Sequence, residues 1–103
     1  MADFSSILKQ AQKMQKDVMA LQDELKKRVV EGSSGGGMVT AFVNGAKEVV
    51  KITIDPEVVD PDDVEMLEDL ILAAITAATE KADAMVQEEM KKVTGGLGIP
   101  GLF

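Results

Sequence analysis

The sequence predicts an α+β fold in which two long helices flank a small antiparallel sheet, and three observations carry that expectation. Phe4, Ile7, Ala11, Met14, Val18, Leu21 and Leu25 recur at alternating spacings of three and four, which gives a helix one continuous apolar seam. Val50, Ile52 and Ile54 alternate with Val49, Lys51 and Thr53, the period of a strand with one apolar face. From Val64 the helical period returns through Leu67, Leu70, Ile71, Ala74, Ile75, Ala78, Ala82, Met85 and Val86.

The first helix is expected over residues 4–28. Its intervening positions are good helix formers, with no Pro or Gly before Gly32, and a rod of about 25 residues runs roughly 40 Å at 1.5 Å per residue. Val29 and Val30 then bring β-branched character, and the run from Gly32 to Gly37 reads as a flexible connection. Met38 to Val43 reads as a strand that turns at Asn44-Gly45, the signature of a type I′ hairpin whose two central residues both need positive φ. The return strand spans Glu48 to Ile54, so residues 29–55 hold a sheet of two or three strands. In Asp60-Pro61-Asp62-Asp63 a capping Asp60 precedes Pro61 at the first helical position. A helical region over 60–94, continuous or broken in two, ends at Gly95-Gly96. Residues 1–94 thus form one domain, followed by a flexible Gly/Pro-rich tail, 95–103.

Composition narrows the chemistry. The chain has 103 residues, 46% of them hydrophobic, but only 3% aromatic with no Trp or Tyr, so its core is built from Leu, Ile, Val, Ala and Met. With no Cys and no His, it has no disulfide, thiolate zinc site, Cys or His nucleophile, or ordinary neutral-pH general base. Leu70 to Ala78, the longest apolar stretch, contains Thr76 and is too short to span a bilayer. The N-terminus lacks a basic segment followed by an apolar one. A soluble cytoplasmic protein without a membrane partner is expected.

The net charge is −7, but it is not spread evenly. Residues 1–31 carry six basic and five acidic side chains, whereas residues 55–94 carry three basic against twelve acidic. Binding follows the local potential of the docking surface, so the acidic second half lowers affinity for a polyanion without excluding one.

A sheet this small cannot cover both long helices. The seam of Ala11, Met14, Val18, Leu21 and Leu25, together with Leu67, Ile71, Ala74 and Ala78 on the second helix, therefore forms the expected interface of a homodimer. The alanines would let another helix approach closely.

Four stretches carry a further signal: Gln10-Ala11-Gln12-Lys13-Met14-Gln15, Val43-Asn44-Gly45-Ala46, Ile52-Thr53-Ile54-Asp55-Pro56 and Glu65-Met66-Leu67-Glu68-Asp69-Leu70-Ile71. Each is weak alone, but their order and spacing over nearly the whole chain resemble the YbaB/EbfC nucleoid-associated proteins. The resemblance implies a tweezer-like, intertwined homodimer with projecting helical arms. It also implies binding of duplex DNA that bends or bridges it in the cytoplasmic nucleoid. The family's basic residues are not a fixed motif, so the contacts must be sought in this sequence.

Lys9, Lys13 and Lys16 form a row opposite the seam, suited to lie along phosphates or simply to solvate a helix. Lys91 and Lys92 close the last helix. If the two helices run antiparallel, these lysines return near Lys9 and Lys13, which makes the arm tip the preferred contact surface. Lys26-Lys27-Arg28 is the densest basic cluster; it could grip phosphate or complement the helix dipole. Lys51 reads as a surface residue. The acids Asp60, Asp62, Asp63, Glu65, Glu68 and Asp69 lack the ligand order of a calcium loop and read as a solvated helix start. The Gly32–Gly37 run is not followed by Lys-Ser or Lys-Thr and is no phosphate loop. No catalytic constellation, cofactor site or small-molecule substrate site is visible, so a non-enzyme with little sequence discrimination is expected. The alternative is a dimeric adaptor whose arms grip a partner protein, which the acidic second half favours.

Overall fold

A run of helix formers without Pro or Gly becomes one rod, α1 (Phe4–Lys27), in the computed structural model, which describes residues 4–94. Strands β1 (Val29–Ser34), β2 (Val39–Asn44) and β3 (Val49–Ile54) follow, and then a second rod, α2 (Val64–Thr94). The architecture is α+β, with a three-stranded antiparallel sheet in the order β1-β2-β3. The tail 95–103 lies outside the described residues.

Two local expectations are corrected. Gly32, Ser33 and Ser34 belong to β1, pairing with Ala41, Thr40 and Val39, so only a tight turn from Gly35 to Met38 is left as a connection. The Met38 N–H closes it on the Gly35 carbonyl, with Gly35, Gly36 and Gly37 all at positive φ. The helix cap is Asp63, whose Oδ1 accepts the Met66 N–H at 3.2 Å. Asp60 instead closes the preceding turn, its side chain accepting from the Asp62 N–H and its carbonyl from the Asp63 N–H. From that cap α2 runs unbroken for 31 residues.

The hairpin falls where Asn44-Gly45 predicted it, with a different turn. Asn44 N–H bonds the Glu48 carbonyl at 3.0 Å across a three-residue loop, and Lys47 rather than Gly45 takes the positive φ, 64°. A type I turn closed by one left-handed residue fits this geometry. The Asn44 carboxamide holds it, its Oδ1 accepting from the N–H groups of Ala46 and Glu48. Gly45 is needed for a separate reason: a Cβ there would lie 2.4 Å from the Leu25 carbonyl oxygen, which instead accepts the Gly45 N–H at 2.9 Å. That contact pins the hairpin to the end of α1.

The core lies between one sheet face and α2. Val39, Ala41 and Val43 of β2 meet Ala74, Ala78 and Ala82, all fully buried. Alanines four apart make a smooth stripe, and the sheet closes onto it so tightly that a Cβ at Gly32 would sit 2.1 Å from the Ala78 backbone nitrogen. Ser34 fastens the edge of this contact by donating its hydroxyl to the Leu70 carbonyl at 2.5 Å. The close approach predicted for the alanine face is therefore present, but the chain's own sheet makes it.

Candidate nucleic-acid interface

The dimer-face candidates divide into two groups. Ala74, Ala78 and Leu25 are buried within the protomer, at 0%, 0% and 2% exposure. Within the protomer they are covered by β1, β2 and the hairpin. Ala11 is exposed, and Met14, Val18, Leu21, Leu67 and Ile71 are partly exposed. The seam continues outward through Ile7 and Phe4, both well exposed. The outer two thirds of α1 thus present an apolar stripe that the protomer leaves open.

Lys9, Lys13 and Lys16 are all exposed on α1, as the row opposite the seam requires. Their expected meeting with Lys91 and Lys92 does not occur. Arg28 Nη1 lies 3.4 Å from Glu89 Oε1, and Lys92 Nζ lies 3.1 Å from the same oxygen. Gln22, Leu25 and Lys26 share one cleft with Val86 and Met90, so the C-terminal part of α2 lies beside the last turns of α1. Lys9 is about 24 Å further along α1 from Leu25 at 1.5 Å per residue. Lys92 therefore joins the junction of α1 and β1, not the arm tip, because α1 outruns the described end of α2.

This places Lys92 with Arg28 on one carboxylate; Lys26 lines the adjoining cleft, and Lys27 and Lys91 neighbour these residues in sequence. All five basic residues are exposed. Glu89, which sequence reasoning did not single out, lies among them. Its pairing with Lys92 at i,i+3 was visible in the sequence, but its contact with Arg28 depends on the fold. The Lys92 hydrogen bond does most to hold the Glu89 carboxyl below the usual carboxylate range; partial desolvation opposes it, and Arg28 adds to the lowering.

Two more cations take defined positions. Lys47 Nζ pairs with Asp83 Oδ1 at 2.7 Å and ties the hairpin to α2. Lys51 projects from the sheet face opposite α2, its ammonium 5.4 Å from the centre of the Phe42 ring. The acidic helix start lies near the other end of α2; among the described residues no group of three or more acids is arranged to hold a metal ion. No described helix is long and apolar enough to cross a membrane.

The model of the YbaB/EbfC DNA-binding family matches residues 1–97. A nucleoid-associated protein of Acetivibrio thermocellus is 60% identical over 102 residues, covering 98% of this chain and 90% of its own. A nucleoid-associated protein of Caldanaerobacter subterraneus is 55% identical over 101 residues, covering 98% and 91%. The crystal structure of an uncharacterised protein from Helicobacter pylori superposes with a TM-score of 0.66 at 26% identity, covering 92% of this chain and 96% of that one.

Proposed function

The chain belongs to the YbaB/EbfC DNA-binding family, and from that premise we propose that it binds duplex DNA as a homodimer, with little sequence specificity, and bends or bridges it in the cytoplasmic nucleoid. The observation that carries this reading is the meeting of Arg28 and Lys92, from two separate elements, on the Glu89 carboxylate, with Lys26, Lys27 and Lys91 beside them in an otherwise acidic sequence. Exposed lysine and arginine side chains engage phosphates and release counterions. Contacts of that kind carry no base information.

The homodimer rests on the open seam of α1, whose heptad spacing suits a second copy of itself. Two copies carry two basic junctions in one body, the arrangement that bending or bridging a duplex requires. Lys9, Lys13 and Lys16 would extend each contact along the arm.

A gel-shift titration over a range of salt concentrations, run on unrelated duplexes, tests the reading. Affinity should fall linearly on a log–log plot against salt, with closely similar slopes for every duplex. Salt-insensitive capture of one protein partner, with no duplex shifted, would move the adaptor reading ahead. Light scattering on an eluting peak tests assembly, and a folded monomer near 11.0 kDa would sink the homodimer.

A further inference from the structure

Arg28 stands just beyond the end of α1, while Glu89 and Lys92 lie about one turn apart on α2. The two cations approach from different elements yet reach the same carboxylate oxygen, Glu89 Oε1. Glu89 is the most covered of the three at 22% side-chain exposure, against 46% for Arg28 and 67% for Lys92. The cations therefore face solvent, with the carboxylate set beneath and between them. An oxygen held jointly by a guanidinium and an ammonium is also the setting of a non-bridging phosphate oxygen in a protein–DNA contact.

We propose that Arg28 and Lys92 form a phosphate subsite in which Glu89 is a built-in counter-anion, competing with the DNA backbone and limiting its affinity. The inference rests on the DNA-binding reading above and deepens it by naming one phosphate contact and its internal competitor. In the free protein the carboxylate satisfies both cations. When a backbone phosphate arrives, the cations turn outward to it, and part of the attraction is spent in leaving Glu89. A merely structural bridge between α1 and α2 would also use these three groups, so the test must separate charge from tethering.

Glu89→Gln does so, because the amide keeps a similar size and an oxygen acceptor while removing the negative charge. A unit charge removed at about 6 Å from a surface phosphate should tighten duplex binding by about threefold to tenfold at moderate salt. The log–log salt slope should steepen by up to about one. Glu68→Gln, at an exposed position far along α2, makes the same change in net charge and should alter affinity much less. In a background of Arg28→Gln and Lys92→Gln, the gain from Glu89→Gln should vanish. NMR titration with inorganic phosphate supplies a readout free of DNA: the side-chain signals of Arg28 and Lys92 should shift further in Glu89→Gln than in the native protein.

Equal duplex affinity of the native and Glu89→Gln proteins would overturn the proposal. So would a gain that Glu68→Gln matches, or one that survives without Arg28 and Lys92. If neither protein shifts any duplex but phosphate still moves the Arg28 and Lys92 signals in Glu89→Gln, the subsite stands and the DNA reading fails. If phosphate moves neither signal in Glu89→Gln, the subsite fails whatever the duplex does.

Discussion

Around Gly32 the chain buries its smallest side chains, whereas along α1 it leaves some of its largest in water. Ala74, Ala78 and Ala82 are wholly covered, while Phe4 is 78% exposed, Ile7 56% and Met19 58%. Hydrophobicity alone would order these residues the other way. The difference teaches that close backbone approach decides burial in the first region. The second region is an apolar surface that this protomer does not complete. A core of alanine and glycine gains little transfer energy per residue and depends instead on dense contact between helix and sheet. An exposed stripe of Phe, Ile and Met would gain its transfer energy only when a partner covers it.

The largest effect is expected where the two backbones meet. Gly32→Ala would place a methyl group within 2.1 Å of the Ala78 nitrogen and 2.7 Å of the Ala77 carbonyl carbon. Neither atom can rotate away, so α2 must lift from β1 along the stripe. The loss should reach about 3 kcal/mol or more, at the upper end for overpacked sites. Thermal unfolding followed by circular dichroism would measure it, and a melting temperature within a few degrees of native would show that this core is not close-packed.

Much of this contrast was legible before the structure, and the reasons it was incomplete are specific. Heptad spacing located α1 because its seam is long and uninterrupted. The alanine periodicity announced close approach, but spacing does not say whether a helix or a strand does the approaching. Gly32 to Ser34 looked like a linker because glycine and serine lack β propensity; the strand is held there by pairing with β2 and by room for α2. Asn44-Gly45 marked the turn correctly, yet the need for Gly45 comes from Leu25, twenty positions earlier in sequence. In the candidate interface, each basic residue could be named, but their grouping could not. That grouping depends on where α2 ends against α1, which neither helix's sequence records.

The arm can be challenged next. Ile7→Asp should leave a protomer's own stability almost unchanged, since Ile7 makes little internal contact. If a second copy covers the seam, the same change buries an unpaired carboxylate, costing several kcal/mol of association. Val18→Asp, nearer the core and already half-buried, should dissociate or unfold the protein. Light scattering separates these outcomes. An Ile7→Asp protein that remains as dimeric as native would mean that the outer seam is not the interface.

A smaller effect sharpens the comparison in terms of charge. Changing Lys26, Lys27 and Arg28 to Glu should reduce duplex affinity more than changing Lys9, Lys13 and Lys16, because the first set includes Arg28, which meets Lys92 at Glu89. Each lost phosphate contact should make the log–log salt slope shallower by about one, equally on unrelated duplexes. If the arm set abolishes binding while the junction set binds normally, the contact surface runs along the arm. If neither set matters and the dimer is intact, the DNA reading gives way to the adaptor.

The smallest effect concerns the bridge from hairpin to α2. Lys47 and Asp83 are 51% and 45% exposed at their side chains, so water and salt screen their attraction, and pairs of this kind contribute less than about 1 kcal/mol. Lys47 also carries an opposing cost, because its φ of 64° puts a side chain in the left-handed region, disfavoured by about 1–2 kcal/mol relative to right-handed backbone. Two substitutions separate these contributions. Lys47→Met keeps the backbone strain and removes the ion pair, so it should lower stability slightly in urea unfolding. That deficit should shrink in about 1 M salt, where the screening length is about 3 Å. Lys47→Gly removes the pair and the strain together, so it should be at least as stable as Lys47→Met and close to native. A loss of more than about 2 kcal/mol in Lys47→Met that salt does not diminish would place this pair outside the range of exposed bridges. The hairpin would then belong to the close-packed region rather than to its solvated edge.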